Sequence, residues 1–167
     1  MVLFIYINMY NRKKAVEYAY TWWNSRNPQF FNFDNLGGDC TNFISQCLYY
    51  GDIPMQKSNN LGWFYNSSNN RSYSWTGVVE FFNFCTQNNT GLGPKAKLVT
   101  ISMLEIGDIV QLQQFSQDRF HHNLIITKIN GIPNIENIFV TCHTNDAKDK
   151  PLKDYYYNKI RFLKILN

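Results

Sequence analysis

The chain has 167 residues, 44% hydrophobic and 17% charged, which is long and apolar enough to bury a core and excludes a disordered chain. A formal net charge of +4, from 16 Lys and Arg against 12 Asp and Glu, is scattered without a basic run. That leaves nucleic-acid binding unsupported and allows a mild preference for anionic surfaces. Aromatic residues reach 17%, which predicts a ring-rich core and a ring-lined groove.

The N-terminal run Met1-Val2-Leu3-Phe4-Ile5-Tyr6-Ile7 is apolar but short, with no basic segment before it and no small-residue cleavage site after it. It is not a complete signal peptide and cannot span a bilayer. A trimmed remnant, a strand or a docking segment are the readings that fit. Residues 11–26 carry Ala15, Tyr18, Ala19, Trp22 and Trp23 at helical spacing, with Asn11 as a cap and Asn27-Pro28 as a stop. A phenylalanine-rich loop then leads to Gly37-Gly38.

Asp39 is a good N-cap, and Cys40, Phe43, Ile44, Cys47 and Leu48 follow at i, i+3, i+4, i+7 and i+8, one apolar helical stripe. Cys40 therefore belongs to the first turn of a buried helix. There the unpaired N–H groups and the dipole favour thiolate, with a pKa expected at roughly 3.5–7.5. A small buried structural cysteine is the competing reading. The other cysteines stand at 47, 85 and 142, and no CxxC pair occurs, so a zinc knuckle or thioredoxin motif is unsupported. Cys40 and Cys47 are separated by about 10 Å of helical rise and cannot bridge. All four are read as reduced thiols.

Gly51-Asp52-Ile53-Pro54 ends the helix. Residues 55–75 are rich in Asn and Ser but hold Trp63, Phe64, Tyr65, Tyr73 and Trp75. Either these rings form a binding rim, with Trp63, Tyr65 and Trp75 as substrate contacts, or they anchor a loop. A third helix is expected from Trp75 to Cys85. The second half reads as strands: Lys95 to Thr100, Ile109 to Gln113, His122 to Ile129, Ile135 to His143 and Lys159 to Leu166, with Asn130-Gly131 as a turn and Pro151 to Tyr157 as a loop or short helix. Helices first and strands afterwards predict an α+β domain over residues 1–167, its antiparallel sheet packed on the central helix.

A cysteine nucleophile needs a base, and all three histidines, His121, His122 and His143, lie in the strand half. His122 opens one strand and His143 closes the next, so antiparallel pairing brings them into reach of each other. His143 or Asn145 can then orient the His122 ring, as a third triad member does. A metal site from Cys40, His122, Cys142 and His143 is disfavoured, because neighbours in a strand point to opposite faces.

The block Gly38-Asp39-Cys40-Thr41-Asn42-Phe43-Ile44-Ser45-Gln46-Cys47-Leu48-Tyr49 resembles the signature of the putative amidase domains of bacterial, mainly Gram-positive, proteins. Tyr73-Ser74-Trp75-Thr76, Ile106-Gly107-Asp108-Ile109-Val110, His122-Asn123-Leu124-Ile125-Ile126-Thr127, His143-Thr144-Asn145-Asp146 and Pro151-Leu152 extend the similarity over most of the chain from about residue 11. The resemblance implies a papain-like fold of the NlpC and CHAP type and a cysteine amidase or peptidase acting on peptidoglycan peptides. It implies Cys40 as nucleophile, His122 as general base, and His143 as third residue, with Asn145 as the papain-like alternative and Asp146 behind it. Asp39 and Asn42 are expected near the oxyanion. No cofactor or metal is implied; the implied protein is secreted or wall-associated, a monomer whose partner is its substrate. A non-catalytic wall- or peptide-binding module and a Cys-His acyltransferase are the alternatives.

Overall fold

A computed structural model describes residues 9–58 and 61–167. The apolar run Met1 to Ile7 lies outside the described residues. Helix α1 (Arg12–Trp22) is capped by Asn11, whose side chain accepts from the Lys14 N–H at 3.1 Å. Its buried face is Ala15, Val16, Tyr18 and Ala19.

Helix α2 (Cys40–Tyr50) buries the expected apolar stripe, but also Thr41, Asn42, Ser45 and Gln46. It is therefore enclosed on all sides, and its polar groups need partners. Tyr18 donates to Gln46 Oε1 at 2.6 Å, Trp75 Nε1 to Asn42 Oδ1 at 2.9 Å, and Trp63 Nε1 to Ser45 Oγ at 3.1 Å. This corrects the binding-rim expectation. Trp63 and Trp75 are 0% exposed, and Tyr65 packs against the same core while its hydroxyl accepts from the Phe31 N–H. Large rings with one polar atom are well satisfied when that atom meets a buried acceptor on a central helix. Strands β1 (Tyr65–Ser67) and β2 (Asn70–Arg71) form the small hairpin that carries this loop. The expected third helix is two pieces, α3 (Tyr73–Thr76) and α4 (Val78–Gln87), separated by an extended Gly77.

Six strands follow: β3 (Ala96–Val99), β4 (Ile109–Gln113), β5 (His122–Ile129), β6 (Ile138–Cys142), β7 (Ala147–Pro151) and β8 (Lys159–Ile165). They pair antiparallel in the order β3-β8-β4-β5-β6-β7. Strand β7 is absent from the expected strands, because Ala147-Lys148-Asp149-Lys150-Pro151 has no apolar alternation. It is an edge strand, where charge and proline are tolerated. One sheet face, with Ile109, Ile125 and Leu163, packs on Phe43, Ile44 and Leu48 of α2. The other, with Val110, Leu112, Leu124, Ile126, Val140 and Cys142, is covered by Leu104 and Leu152. The result is the expected α+β arrangement, with four α-helices among the described residues, none long and apolar enough to cross a membrane.

The Gly107-Asp108 pair ties α1 to the sheet. Buried Asp108 accepts from Arg12 at 2.7 Å, the Glu105 N–H at 2.8 Å and the Ile165 N–H at 3.0 Å. Gly107 sits at φ +89°, where a Cβ would lie 2.9 Å from the Tyr10 hydroxyl that donates to the Gly107 carbonyl. Gly107→Ala is expected to cost about 1–2 kcal/mol from left-handed backbone strain alone. Urea denaturation should show a lowered midpoint; an unchanged midpoint would mean that Tyr10 and the backbone relax freely.

Candidate active site

Cys40 is the first residue of α2 and is 6% exposed. It opens onto a cleft of about 480 Å³ that His121, His122, Thr41, Thr144 and Asn145 also line. Glu80, Gln114, Gln117 and Arg119 supply polar and charged groups of both signs to its walls. The cleft thus suits an extended polar chain better than an apolar ligand.

The first helical bond of α2 runs from the Phe43 N–H to the Asp39 carbonyl at 2.9 Å. The N–H groups of Cys40, Thr41 and Asn42 precede it and have no helical carbonyl to meet. Asp39 occupies the N-cap position but makes no side-chain cap bond. Its carboxylate is turned away, accepting from the Phe33 N–H and from Asn42 Nδ2 at 2.9 Å each and facing His143 Nδ1 at 2.6 Å. Its own N–H donates to Thr144 Oγ1 at 2.9 Å, so it is not free for an oxyanion. Asn42, 1% exposed, donates also to the Phe31 carbonyl and accepts from Trp75. Asp39 and Asn42 therefore stand behind the cleft wall.

The thiol is not activated in the way the helix start suggests. Burial pushes the Cys40 thiol above its ordinary range. The N–H groups of Asn123 and Thr41 and the Thr41 hydroxyl pull it back, and the Asp39 carboxylate adds to the rise. Sγ lies 3.8 Å from Thr41 Oγ1 and 3.9 Å from the His121 carbonyl. Thr41 in turn accepts from Asn123 at 3.0 Å, and Asn123 from Gln111 at 2.7 Å, which fixes the helix start to β5 and β4. Thr41 and Asn123 fall inside stretches that carry the family resemblance, though nothing in their spacing assigns them this role, and Gln111 carries no signal that separates it from ordinary polar positions.

Both histidines at the start of β5 are held neutral. Burial pushes His122 down to about 4, with the charges of His121 and Lys150 adding to the effect. Burial lowers His121 as well, and its Nδ1 is enclosed without a hydrogen-bond partner among the described residues. Alternation along β5 sends Asn123 and Ile125 toward α2, and His122 with Leu124 and Ile126 toward the opposite face, where the Tyr155 ring lies 6.4 Å from it. His122 reaches the cleft because it is the first residue of the strand. Neither imidazole hydrogen-bonds Sγ in this conformation; such bonds often tighten only when substrate binds.

His143 is elsewhere. It is 1% exposed, stacks on Phe43 at 3.9 Å between ring centroids, and has Asp39 on Nδ1 and the Trp22 carbonyl on Nε2 at 2.7 Å. Neither ring nitrogen remains to orient His122, which corrects the expected His122–His143 contact. Asp146 is held by Arg26 in a two-pronged pair that includes Asp34. Of the three candidates for a third residue, Asn145 is the one that lines the cleft. No group of three or more His, Cys, Asp or Glu side chains suited to a metal ion occurs among the described residues.

A cysteine at a helix start, sharing a cleft with strand-borne imidazoles, is an arrangement able to carry acyl transfer. Residues 9–166 match the family described as "Putative amidase domain". The chain belongs to that family, whose description implies amide hydrolysis at a coarse level. It is also similar to the uncharacterized protein YhbB of Bacillus subtilis (strain 168), with 36% identity over 119 residues, 70% of this chain and 37% of that protein. The chain thus spans well under half of that relative's length. No solved structure is a significant match.

With the thiol raised, alkylation of Cys40 in the free protein should accelerate only as pH climbs past the ordinary thiol value of about 8.5. Iodoacetamide labelling mapped by mass spectrometry checks this. A rate already at its plateau by pH 7 would show a preformed thiolate.

Proposed function

We propose that residues 1–167 act as one papain-like domain of the NlpC and CHAP type that hydrolyses amide bonds in peptidoglycan peptides through a Cys40 thioester. The observation that carries the reading is the shared cleft of a helix-start thiol and neutral imidazoles in a chain of the amidase family. Starting from thiol and neutral imidazole, His122 takes the Cys40 proton as sulfur attacks the carbonyl carbon. The tetrahedral oxyanion meets the Cys40 N–H at the helix start. His122 then passes its proton to the leaving amine as the C–N bond breaks. Water, deprotonated by His122, attacks the thioester and releases acid and thiol. Asn145 is the third polar residue on this reading, and Glu80 and Arg119 meet charged groups of the substrate.

His121 is the second candidate base. It shares the parity of Asn123, which faces α2, and its Nδ1 has no partner among the described residues. Cys40→Ala should abolish hydrolysis of purified wall peptides. His122→Ala should lower kcat by about 10²–10⁴-fold, the usual weight of a general base, while His121→Ala keeps most of the rate. The reverse order would assign the base to His121. Binding without turnover in the wild-type protein would favour the binding module, and amide formation with an added amine would favour acyl transfer.

The pH profile is a separate check. A base held near 4 is active when deprotonated, so kcat/KM should stay level from neutral pH downward and fall only through about pH 4. An acid limb at the ordinary histidine value of about 6.5 would mean that the acting ring is solvated.

A further inference from the structure

The residues behind the cleft form a connected group that the reaction above does not use. His143 is enclosed between Phe43, Asp39 and the end of α1. A carbonyl oxygen can only accept, so Nε2 donates to Trp22. The carboxylate facing Nδ1 already accepts from the Phe33 N–H and Asn42 Nδ2 on its other oxygen, the pattern of an ionised group. With the carboxyl ionised, both ring nitrogens would donate and the ring would carry both protons. A buried carboxylate without a counter-charge is strongly disfavoured, and Arg26 Nε, at 3.7 Å, gives Asp39 only a long contact while its fork is committed to Asp34 and Asp146.

The neighbouring turn adds a second restraint. Thr144 and Asn145 both sit in the left-handed region, at φ 63° and 62°, which is a strained conformation for a β-branched residue. The strain brings Thr144 Oγ1 onto the Asp39 N–H. Gly38, at φ +103°, allows this approach, since a Cβ there would lie 3.1 Å from Thr144 Oγ1.

We infer that Asp39 and His143 form a buried carboxylate–imidazolium couple that positions and electrically balances the start of the Cys40 helix, so that His143 serves the nucleophile through Asp39 and not the imidazole base. The inference rests on Cys40 being the nucleophile and makes His143 a positioning residue. Two consequences follow from the geometry. The carboxylate is kept off the first-turn N–H groups, which stay open to an oxyanion. Its negative charge, one residue before Cys40, still raises the thiol, and the imidazolium offsets part of that opposition. Around the couple the charged groups are Arg26 from the segment after α1, Asp34 from the following loop and Asp146 from the β6–β7 turn, with the Cys40 thiol on α2.

The test uses the whole chain and needs no substrate. In ¹⁵N-histidine-labelled wild-type protein at neutral pH, His143 should show two protonated ring nitrogens; a neutral tautomer overturns the couple, whatever the variants do. His143→Gln keeps a donor toward Asp39 but strips the positive charge. It should slow iodoacetamide labelling of Cys40 at fixed pH by tenfold or more. Adding Asp39→Asn to it removes the orphaned charge and should restore much of the rate. A purely structural role would leave the double variant at least as slow as His143→Gln, and that result overturns the inference. Hydrolysis that survives Cys40→Ala would instead defeat Cys40 as the nucleophile, while the nitrogen spectrum still reports on the couple.

Discussion

Asp39 joins three parts of the chain through its carboxylate and its backbone N–H. One oxygen accepts from the Phe33 N–H and the Asn42 amide, the other faces His143 at 2.6 Å, and the residue's own N–H goes to Thr144. The loop before α2, the first turn of α2 and the β6–β7 turn are fixed to one another through that single side chain and its backbone. Phe43 beneath the His143 ring and Trp22 at its far edge close the group from the core side. Hydrogen bonds to a charged group are each worth about 1.5–3 kcal/mol, and losing one partner of a buried charge costs more than the pair contributes. The position of Cys40 follows from this group, because α2 begins one residue later.

The cleft and its backing divide the chemistry. In front stand a thiol raised by burial and an imidazole lowered by burial, both uncharged at neutral pH. That combination holds no ion pair for solvent or salt to disturb, and it requires proton transfer to accompany attack. Behind stand the charges: Asp39 with His143, and Arg26 with Asp34 and Asp146. Charges so arranged, buried in the first pair and partly exposed in the second, hold geometry without occupying the space a substrate needs. The β6–β7 turn serves both sides. His143 and Asp146 are committed to the backing, Thr144 bonds Asp39 while also lining the cleft, and Asn145 faces the cleft.

Motif residues need not touch substrate, and two of the stretches that carry the family resemblance show why. Gly107-Asp108 fastens Tyr10 and Arg12 to β4 and β8. Trp75 in the Tyr73-Ser74-Trp75-Thr76 stretch holds Asn42 and receives Ser45, fixing the buried polar face of α2. Both work on the scaffold around Cys40, since a nucleophile misplaced by even 1 Å loses much of its advantage.

Local pattern made α1, α2, the main strands and the α+β class legible, because helical and strand periodicities are properties of neighbouring residues. The same local logic placed Cys40 at a helix start and His122 at a strand start. It missed β7, whose charged sequence is tolerated only because the strand lies at a sheet edge, and it joined α3 to α4 across Gly77. It left Trp63 and Trp75 between a binding rim and a loop anchor, because composition does not tell whether an indole finds a buried acceptor. It paired His143 with His122 because both sit at adjacent strand ends, whereas the Asp39 carboxylate, more than a hundred residues away in sequence, holds that ring. Which histidine is free, which carboxylate is paired and which polar residues face the cleft depend on partners distant in sequence. Burial and hydrogen bonding between such partners are settled only when the chain has closed around α2.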